Sequence, residues 1–373
     1  MNTKRFYEER SKRSEIKTRI LEDYFSAWAT IMLRKLRNPN GCIAYVDLFA
    51  GPGCYDDETK STPLIILERA IANSELGRRL VTVFNDRKSE FVEALRGNIE
   101  TIPDIEQLRH YPQVHNYEVG TEIVTLLEAV GDVPTFFFVD PWGYKGLTLD
   151  LISSLSRGWG SEFVLFFNYN RIRMGFGNPS VNDPIDKLFG RDRANQLRTV
   201  LNESPDDPEK IIMDEFDRAL KAIGWKYSHR FPFRDTRSKR TSHMLIYATR
   251  SETGYRIMKD VLAKYSSSTE QGVASLDYDP KPNSQLTLPG IDTPLDDLVR
   301  MLPVDFSGQR LKMIEVFNRH HVGKRYQLKH YKKALLRLES EGAIRVEPPI
   351  GDPHRRSGTF ANWVMVEFPP KET

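Results

Sequence analysis

The chain has 373 residues, 39% of them hydrophobic and 28% charged, which predicts about two globular domains at roughly 150 residues each and excludes a disordered or fibrous protein. Lysine and arginine number 54 against 51 aspartates and glutamates, a net charge of +3, so affinity for a polyanion has to come from segregated charge. Cys42 and Cys54 have no histidine nearby in sequence and fit neither a disulfide scaffold nor a zinc site, and the longest apolar runs fall far short of the ~18 residues of a membrane span. A cytoplasmic protein is expected, without metal or membrane attachment.

From Lys17 to Leu36, Ile20, Leu21, Tyr24, Phe25, Trp28, Ile31, Met32 and Leu36 recur at helical spacing and predict an amphipathic helix over 17–36. Asn38 to Gly41 end it, and a strand from Ile43 to Phe49 runs into Ala50-Gly51-Pro52-Gly53. Ser61 or Thr62 caps a helix that carries Pro63 in its first turn. Further strands are expected at Leu80–Phe84, Val114–Val119, Thr135–Val139 and Phe163–Phe167, with helices at Ser89–Ile99 and Glu122–Val130 between them. Continuous apolar strands alternating with helices predict an α/β fold, a Rossmann-like parallel sheet covered on both faces. Lys226–Phe233 and His243–Thr249 follow as a hairpin at the sheet edge.

The composition then shifts to Ser, Asp, Pro, Gly and Gln, giving a domain over 1–265, a linker over 266–294 and a second domain over 295–373. Helices at Gln309–His320 and Gln327–Gly342 and strands at Ala343–Val346 and Asn362–Phe368 predict that the second domain is winged-helix-like.

Chemistry concentrates at the strand ends. Val46-Asp47-Leu48-Phe49-Ala50-Gly51-Pro52-Gly53 places glycines where a ligand approaches the backbone of an open α/β sheet. Its spelling resembles the first motif of S-adenosylmethionine-dependent methyltransferases. That resemblance implies a cofactor site at Asp47, Phe49, Ala50, Gly51 and Gly53. Asp86, ending the second strand, suits a carboxylate accepting ribose hydroxyls, or else a helix cap; Gly120 and Thr121 end the third strand and suit an adenine contact. Asp140-Pro141-Trp142-Gly143-Tyr144 ends the fourth strand, where amino-methylating enzymes hold the target amine. This marks Asp140, Pro141 and Trp142 as catalytic candidates, unless Asp140 only orients its loop. The absence of cysteine beyond Cys54 disfavours carbon-5 pyrimidine methylation, which needs a thiolate after the fourth strand.

Two basic regions suit nucleic acid. One is the hairpin, where Arg230, Arg234, Arg237, Lys239 and Arg240 interleave with Phe231 and Phe233, a composition suited to phosphates and base stacking; the loop from Arg171 to Gly177, after the fifth strand, is expected to project from the cofactor side of the sheet and close over a substrate. The other is the second helix of the winged-helix-like domain, with Tyr326, Gln327, Lys329, His330 and Lys333, and Arg355 and Arg356 on the wing.

Taken in order, Lys17-x-x-Ile20-Leu21-x-x-Tyr24-Phe25-x-x-Trp28, Tyr45-Val46-Asp47-Leu48-Phe49-Ala50-Gly51-Pro52-Gly53-x-Tyr55, Ser61-x-Pro63-Leu64 and Phe138-Val139-Asp140-Pro141-x-Gly143 resemble the three-Cys-motif partner protein family over most of the first ~250 residues. The family's pattern more often has Gly at Leu48 and Phe at Trp142. The resemblance implies a class I methyltransferase fold, S-adenosylmethionine as cofactor, and a radical-S-adenosylmethionine-like three-Cys protein as partner. The expected function is methylation of nucleic acid, DNA before RNA, at an amino group; the alternatives are a non-catalytic nucleic-acid-binding partner and a small-molecule methyltransferase.

Overall fold

The computed structural model describes residues 3–370 apart from 56–58, 120–121, 123–125, 128–129, 142, 145, 157, 204, 237, 282–292, 350–351 and 357, with side chains from residue 12 onward. It divides into two compact units, Met1–Val261 and Leu262–Thr373.

The first unit opens with α1 (Thr3–Lys35), which starts well before the apolar stripe that predicts it. Then come β1 (Ile43–Asp47), α2 (Thr62–Ile71), α3 (Ser74–Arg79), β2 (Leu80–Asn85), α4 (Ser89–Glu100), β3 (Gln113–His115), β4 (Thr135–Val139), α5 (Leu149–Ser154) and β5 (Glu162–Phe167). Four helices follow: α6 (Tyr169–Phe176), α7 (Asn182–Phe189), α8 (Arg191–Asn202) and α9 (Pro208–Ala222). β6 (Tyr227–Arg234), β7 (Thr241–Thr249) and α10 (Glu252–Lys264) complete the series.

The strands form one sheet in the order β3-β2-β1-β4-β5-β7-β6. The first five are parallel, and β7 runs antiparallel to both β5 and β6. This is a Rossmann-like sheet, with the expected hairpin at its edge. Every residue of β1, β4 and β5 is buried, which accounts for their continuous apolar spelling. On one face the rings of Tyr24, Phe25 and Trp28 from α1 pack on Tyr45, Phe136 and Tyr247 at centroid distances of 4.9 to 6.0 Å. On the other, Ala44, Val46, Phe137 and Leu165 meet Ile172, Phe176, Leu188 and Phe216.

The stretch from Arg171 to Gly177, expected as a loop, lies almost wholly in helix α6. Its charges and glycines hide the pattern, but the Asn168 side chain accepts a hydrogen bond from the Arg171 backbone N–H at 3.1 Å and caps the helix. β3 ends at His115, before the Val119 expected from its apolar run.

In the second unit, β8 (Thr269–Glu270) and β9 (Val273–Ala274) form a small hairpin inside the stretch whose composition reads as linker, and Val273 is buried in the core. Such short strands have too little length to show a period. α11 (Pro294–Asp305), β10 (Arg310–Lys312), α12 (Met313–His320), α13 (Leu328–Ser340), β11 (Arg345–Glu347) and β12 (Met365–Glu367) follow, with a sheet in the order β10-β12-β11. This is a winged helix-turn-helix with α13 as its second helix.

Candidate functional site

β1 pairs with β2 on one side and β4 on the other, so the chain leaves the neighbouring carboxyl ends in opposite directions and opens a crevice there. The glycine loop enters it from β1. Gly51 and Gly53 have φ of 66° and 92°, which L side chains rarely adopt. A Cβ on Gly53 would stand 2.9 Å from Leu95 Cδ1, whereas the space beside Gly51 is open.

Asp86 follows β2, and its two carboxylate oxygens accept from the Gly51 backbone N–H at 3.1 Å and the Lys88 backbone N–H at 3.0 Å. The adjacent Asn85, fully buried, stitches the ends of three strands. Its amide donates to the carbonyls of Leu48 and Tyr117 at 3.2 and 3.1 Å, and its oxygen accepts from the Tyr117 backbone N–H at 2.9 Å. The Ala50 N–H donates to the Asn85 carbonyl at 2.8 Å, and the Asn98 side chain holds the Pro52 carbonyl at 2.8 Å. The Gly51–Asp86 bond thus joins the glycine loop to the acid of the second strand, two signals 35 residues apart in sequence.

Asp47 is buried at the end of β1 and accepts from the Phe49 backbone N–H at 3.1 Å. Burial pushes its carboxyl up to about 8; the Phe49 N–H works against this, Asp140 adds to it and Lys17 opposes it. Phe49 is half-buried and Ala50 buried in the same loop.

Asp140 follows β4 with its side chain 26% exposed and forms an ion pair with Lys17 Nζ of α1 at 2.5 Å. Lys17 is buried, and its ammonium lies 5.1 Å from the Phe166 ring centre and 5.7 Å from that of Phe138, at the ends of β5 and β4. Burial lowers the affinity of Lys17 for its proton, but the charge and hydrogen bond of Asp140, together with Tyr55 and Asp47, outweigh this and hold the ammonium above its ordinary range. Beside them the Tyr55 hydroxyl meets Ser14 Oγ at 2.9 Å, and Arg13 reaches Ser242 and His243 at the start of β7. The amino-terminal part of α1 therefore covers the β4–β5 side of the crevice. Pro141 is buried next to Asp140. Gly120, Thr121, Trp142 and Arg237 lie outside the described residues.

Lys17 is the site residue that chemical reasoning from the sequence missed. Its signal is position: it continues the apolar stripe of Ile20, Leu21, Tyr24 and Trp28, where a buried lysine has to find a carboxylate.

The basic hairpin divides. Arg230 is held by Asp214 and Asp217 and Arg234 by Glu209, all on α9, so these two cations are already engaged. Phe231 and Phe233, expected to stack on bases, are fully buried and pack on each other at 5.4 Å, because they point into the core from one face of β6. Lys239 and Arg240 lie in the turn to β7, and the β5–β7 register places this turn at the carboxyl end of β5, the same edge as the crevice.

In the winged helix, Lys329 and Lys333 are exposed on α13, but Tyr326 and His330 are buried. His330 links the Gln327 backbone N–H at 2.9 Å to the Gly272 carbonyl at 2.8 Å. Arg355, expected on the wing's surface, is buried in a two-pronged ion pair with Glu339 at 2.7 and 2.6 Å, leaving Arg356 exposed. Among the described residues no group of three or more His, Cys, Asp or Glu side chains is placed to hold a metal, and no helix is long and apolar enough to cross a membrane.

A family model described as a GMT-like wHTH domain matches residues 276–351. No match is found among curated proteins. Among solved structures the chain is similar to the DszA carbon methyltransferase, at 13% identity over 59% of this chain and 50% of that one, with a TM-score of 0.33. It is also similar to a predicted O-methyltransferase from Agrobacterium tumefaciens, at 14% identity over 58% and 78% with a TM-score of 0.32. The glycopeptide N-methyltransferase MtfA, complexed with sinefungin, follows at 11% identity over 60% and 97%, with a TM-score of 0.32. The chain's own strand order, rather than these distant likenesses, identifies the fold.

Proposed function

We propose that this protein binds S-adenosylmethionine at the carboxyl ends of β1, β2 and β3 and methylates an amino group of a nucleic acid, DNA before RNA. The observation that carries the reading is the junction of Gly51 and Asp86 at the switch point, with Asp140 across it at the end of β4. The residues fit the cofactor. An ionised carboxylate has about four lone-pair sites. Asp86 uses two of them on backbone N–H groups, so both oxygens can still accept from a ribose diol. Asp47, the open backbone of Gly51 and the backbone of Gly53 would hold the methionine part, with Phe49 and Ala50 forming the loop between them; Gly120 and Thr121 would meet the adenine. When bound, S-adenosylmethionine supplies an electrophilic methyl group.

The chain's own part is to hold the acceptor. Asp140, with Pro141 and Trp142 in its loop, accepts a hydrogen bond from the target amine and is the group placed to take the proton the nitrogen gives up. Lys17 pairs with Asp140 and anchors its carboxylate at the end of β4. Lys329 and Lys333 on the winged helix would contact phosphates, as would Lys239, Arg240 and Arg237 in the hairpin turn. The partnership with a radical-S-adenosylmethionine-like three-Cys protein rests on the family resemblance alone.

The test is calorimetric titration of the full chain with S-adenosylmethionine, then incubation with labelled cofactor and total nucleic acid. Binding is expected, and Asp86→Ala should weaken it at least tenfold, in line with about 1.5 to 3 kcal/mol for hydrogen bonds to a charged acceptor. Unchanged affinity in Asp86→Ala would remove the cofactor assignment.

A further inference from the structure

Between α6 and the β6–β7 turn lies an open cleft of about 440 Å³ lined by Asn170, Arg173, Met174, Ser238 and Arg240. We infer that this cleft holds phosphodiester groups of the substrate strand beside the target position, an inference that rests on the nucleic-acid reading and gives it a track on the catalytic unit itself.

The charge distribution supports this. Arg230 and Arg234 are neutralised by acids of α9, but Arg173 and Arg240 form no ion pair among the described residues and are both exposed at the cleft. The acid nearest in sequence, Asp235, is half-buried in the turn, where it accepts from the Ser238 backbone N–H at 3.0 Å and from the Ser238 hydroxyl at 3.2 Å. Two guanidinium groups lining one cleft, Arg173 from α6 and Arg240 from the turn, offer the planar, multidentate donors that phosphate oxygens favour. Asn170 adds an uncharged donor, and Met174, 74% exposed, gives the cleft an apolar flank against which a sugar or base can rest.

Position supports it as well. The other side of α6 lies against the loop after β4. A Cβ on Gly143 would stand 3.5 Å from Arg171 Nη1, and one on Gly175 3.4 Å from the Tyr144 hydroxyl. The cleft is thus one helix away from the loop that carries Asp140, so a strand lying in it would bring a neighbouring nucleotide to the crevice.

The experiment measures fluorescence anisotropy of labelled oligonucleotides, single-stranded and duplex, DNA and RNA, with the full chain across a salt series. Arg173→Gln/Arg240→Gln is compared with wild type and with Arg173→Lys/Arg240→Lys. Loss of two phosphate contacts should flatten the slope of log affinity against log salt by about 1.4 for a single strand or about 1.8 for a duplex, and the lysine pair should retain most of the slope. A wild-type slope in the glutamine variant overturns the cleft assignment and leaves nucleic-acid binding to other surfaces. Displacement of the strand by inorganic phosphate at equal concentration overturns it too, since the cleft would then hold only a lone anion. If wild type binds none of the four probes at low salt, the nucleic-acid reading fails and the cleft assignment with it.

Discussion

At the scale of single residues, burial keeps some carboxyls away from their ordinary protonation. Glu162 is buried at the amino end of β5 among the hydroxyls of Tyr24, Tyr247 and Thr249, and burial pushes its carboxyl up to about 7, against the hydrogen bonds that favour the charged form. A folded-state value above the unfolded one means that the native state binds the proton more tightly. The contribution of Glu162 to stability is therefore complete below about 4.5 and is lost as pH rises through about 7. Glu162→Gln keeps an acceptor for the hydroxyls but cannot ionise. Its urea midpoint should gain on wild type as pH rises from about 5 to about 7.5; parallel midpoints across that range would contradict the shift. Asp47, pushed the same way, keeps its slope in both proteins, as do the lowered His115 and His320. Legibility at this scale followed the backbone. Gly51, Gly53, Asp47 and Asp86 were readable because strand ends and positive-φ turns constrain residue type. Lys17 was not readable as chemistry because its partner lies 123 residues away, in a loop that no local pattern connects to α1.

At the scale of elements, burial decides which cations on an element can reach a ligand. α13 carries Lys329, Lys332, Lys333 and Arg337 along a helix whose His330, Tyr331, Ala334, Leu335 and Leu338 face the core. The helical period therefore separates exposed residues from packing residues and places His330 with the latter; Tyr326, just before the helix, is buried as well. The period of β6 does the same for Phe231 and Phe233. What no period reveals is a neighbouring element: the acids of α9 beside Arg230 and Arg234, or Glu339 beneath the wing. Arg355, with its side chain 3% exposed, binds both oxygens of Glu339, donates to the Pro348 carbonyl at 3.0 Å and lies over the Phe360 ring at 4.7 Å. Arg355→Ala should destabilise the second unit by about 3 kcal/mol or more, because it leaves a carboxylate in an apolar setting without its cation. Hydrogen exchange of the α13 amides in the full chain reads the loss directly, and adding Glu339→Leu should recover a large part of it. Protection unchanged in the single variant would show that water reaches Glu339.

At the scale of the whole molecule, a net charge of +3 provides little general attraction for a polyanion, so affinity has to be assembled from the local patches. Two stand out among the described residues, one on each unit: Arg173 with Arg240 at the cleft, and Lys329, Lys332 and Lys333 on α13, where Arg337 is already paired to Asp296 and Glu341. If a single strand or duplex engages both, each patch releases its own counterions and the salt slopes add. Lys329→Gln/Lys333→Gln should then flatten the slope by about 1.4 to 1.8, the same amount in wild type as in Arg173→Gln/Arg240→Gln. The affinities carry a second signature, because two sites on one chain raise each other's effective concentration when a single ligand spans them. On an oligonucleotide long enough to span both, either pair of substitutions should cost more affinity than on one too short to do so. Equal losses on long and short probes would show that the patches act on separate molecules, and the winged helix would then bind nucleic acid without presenting it to Asp140.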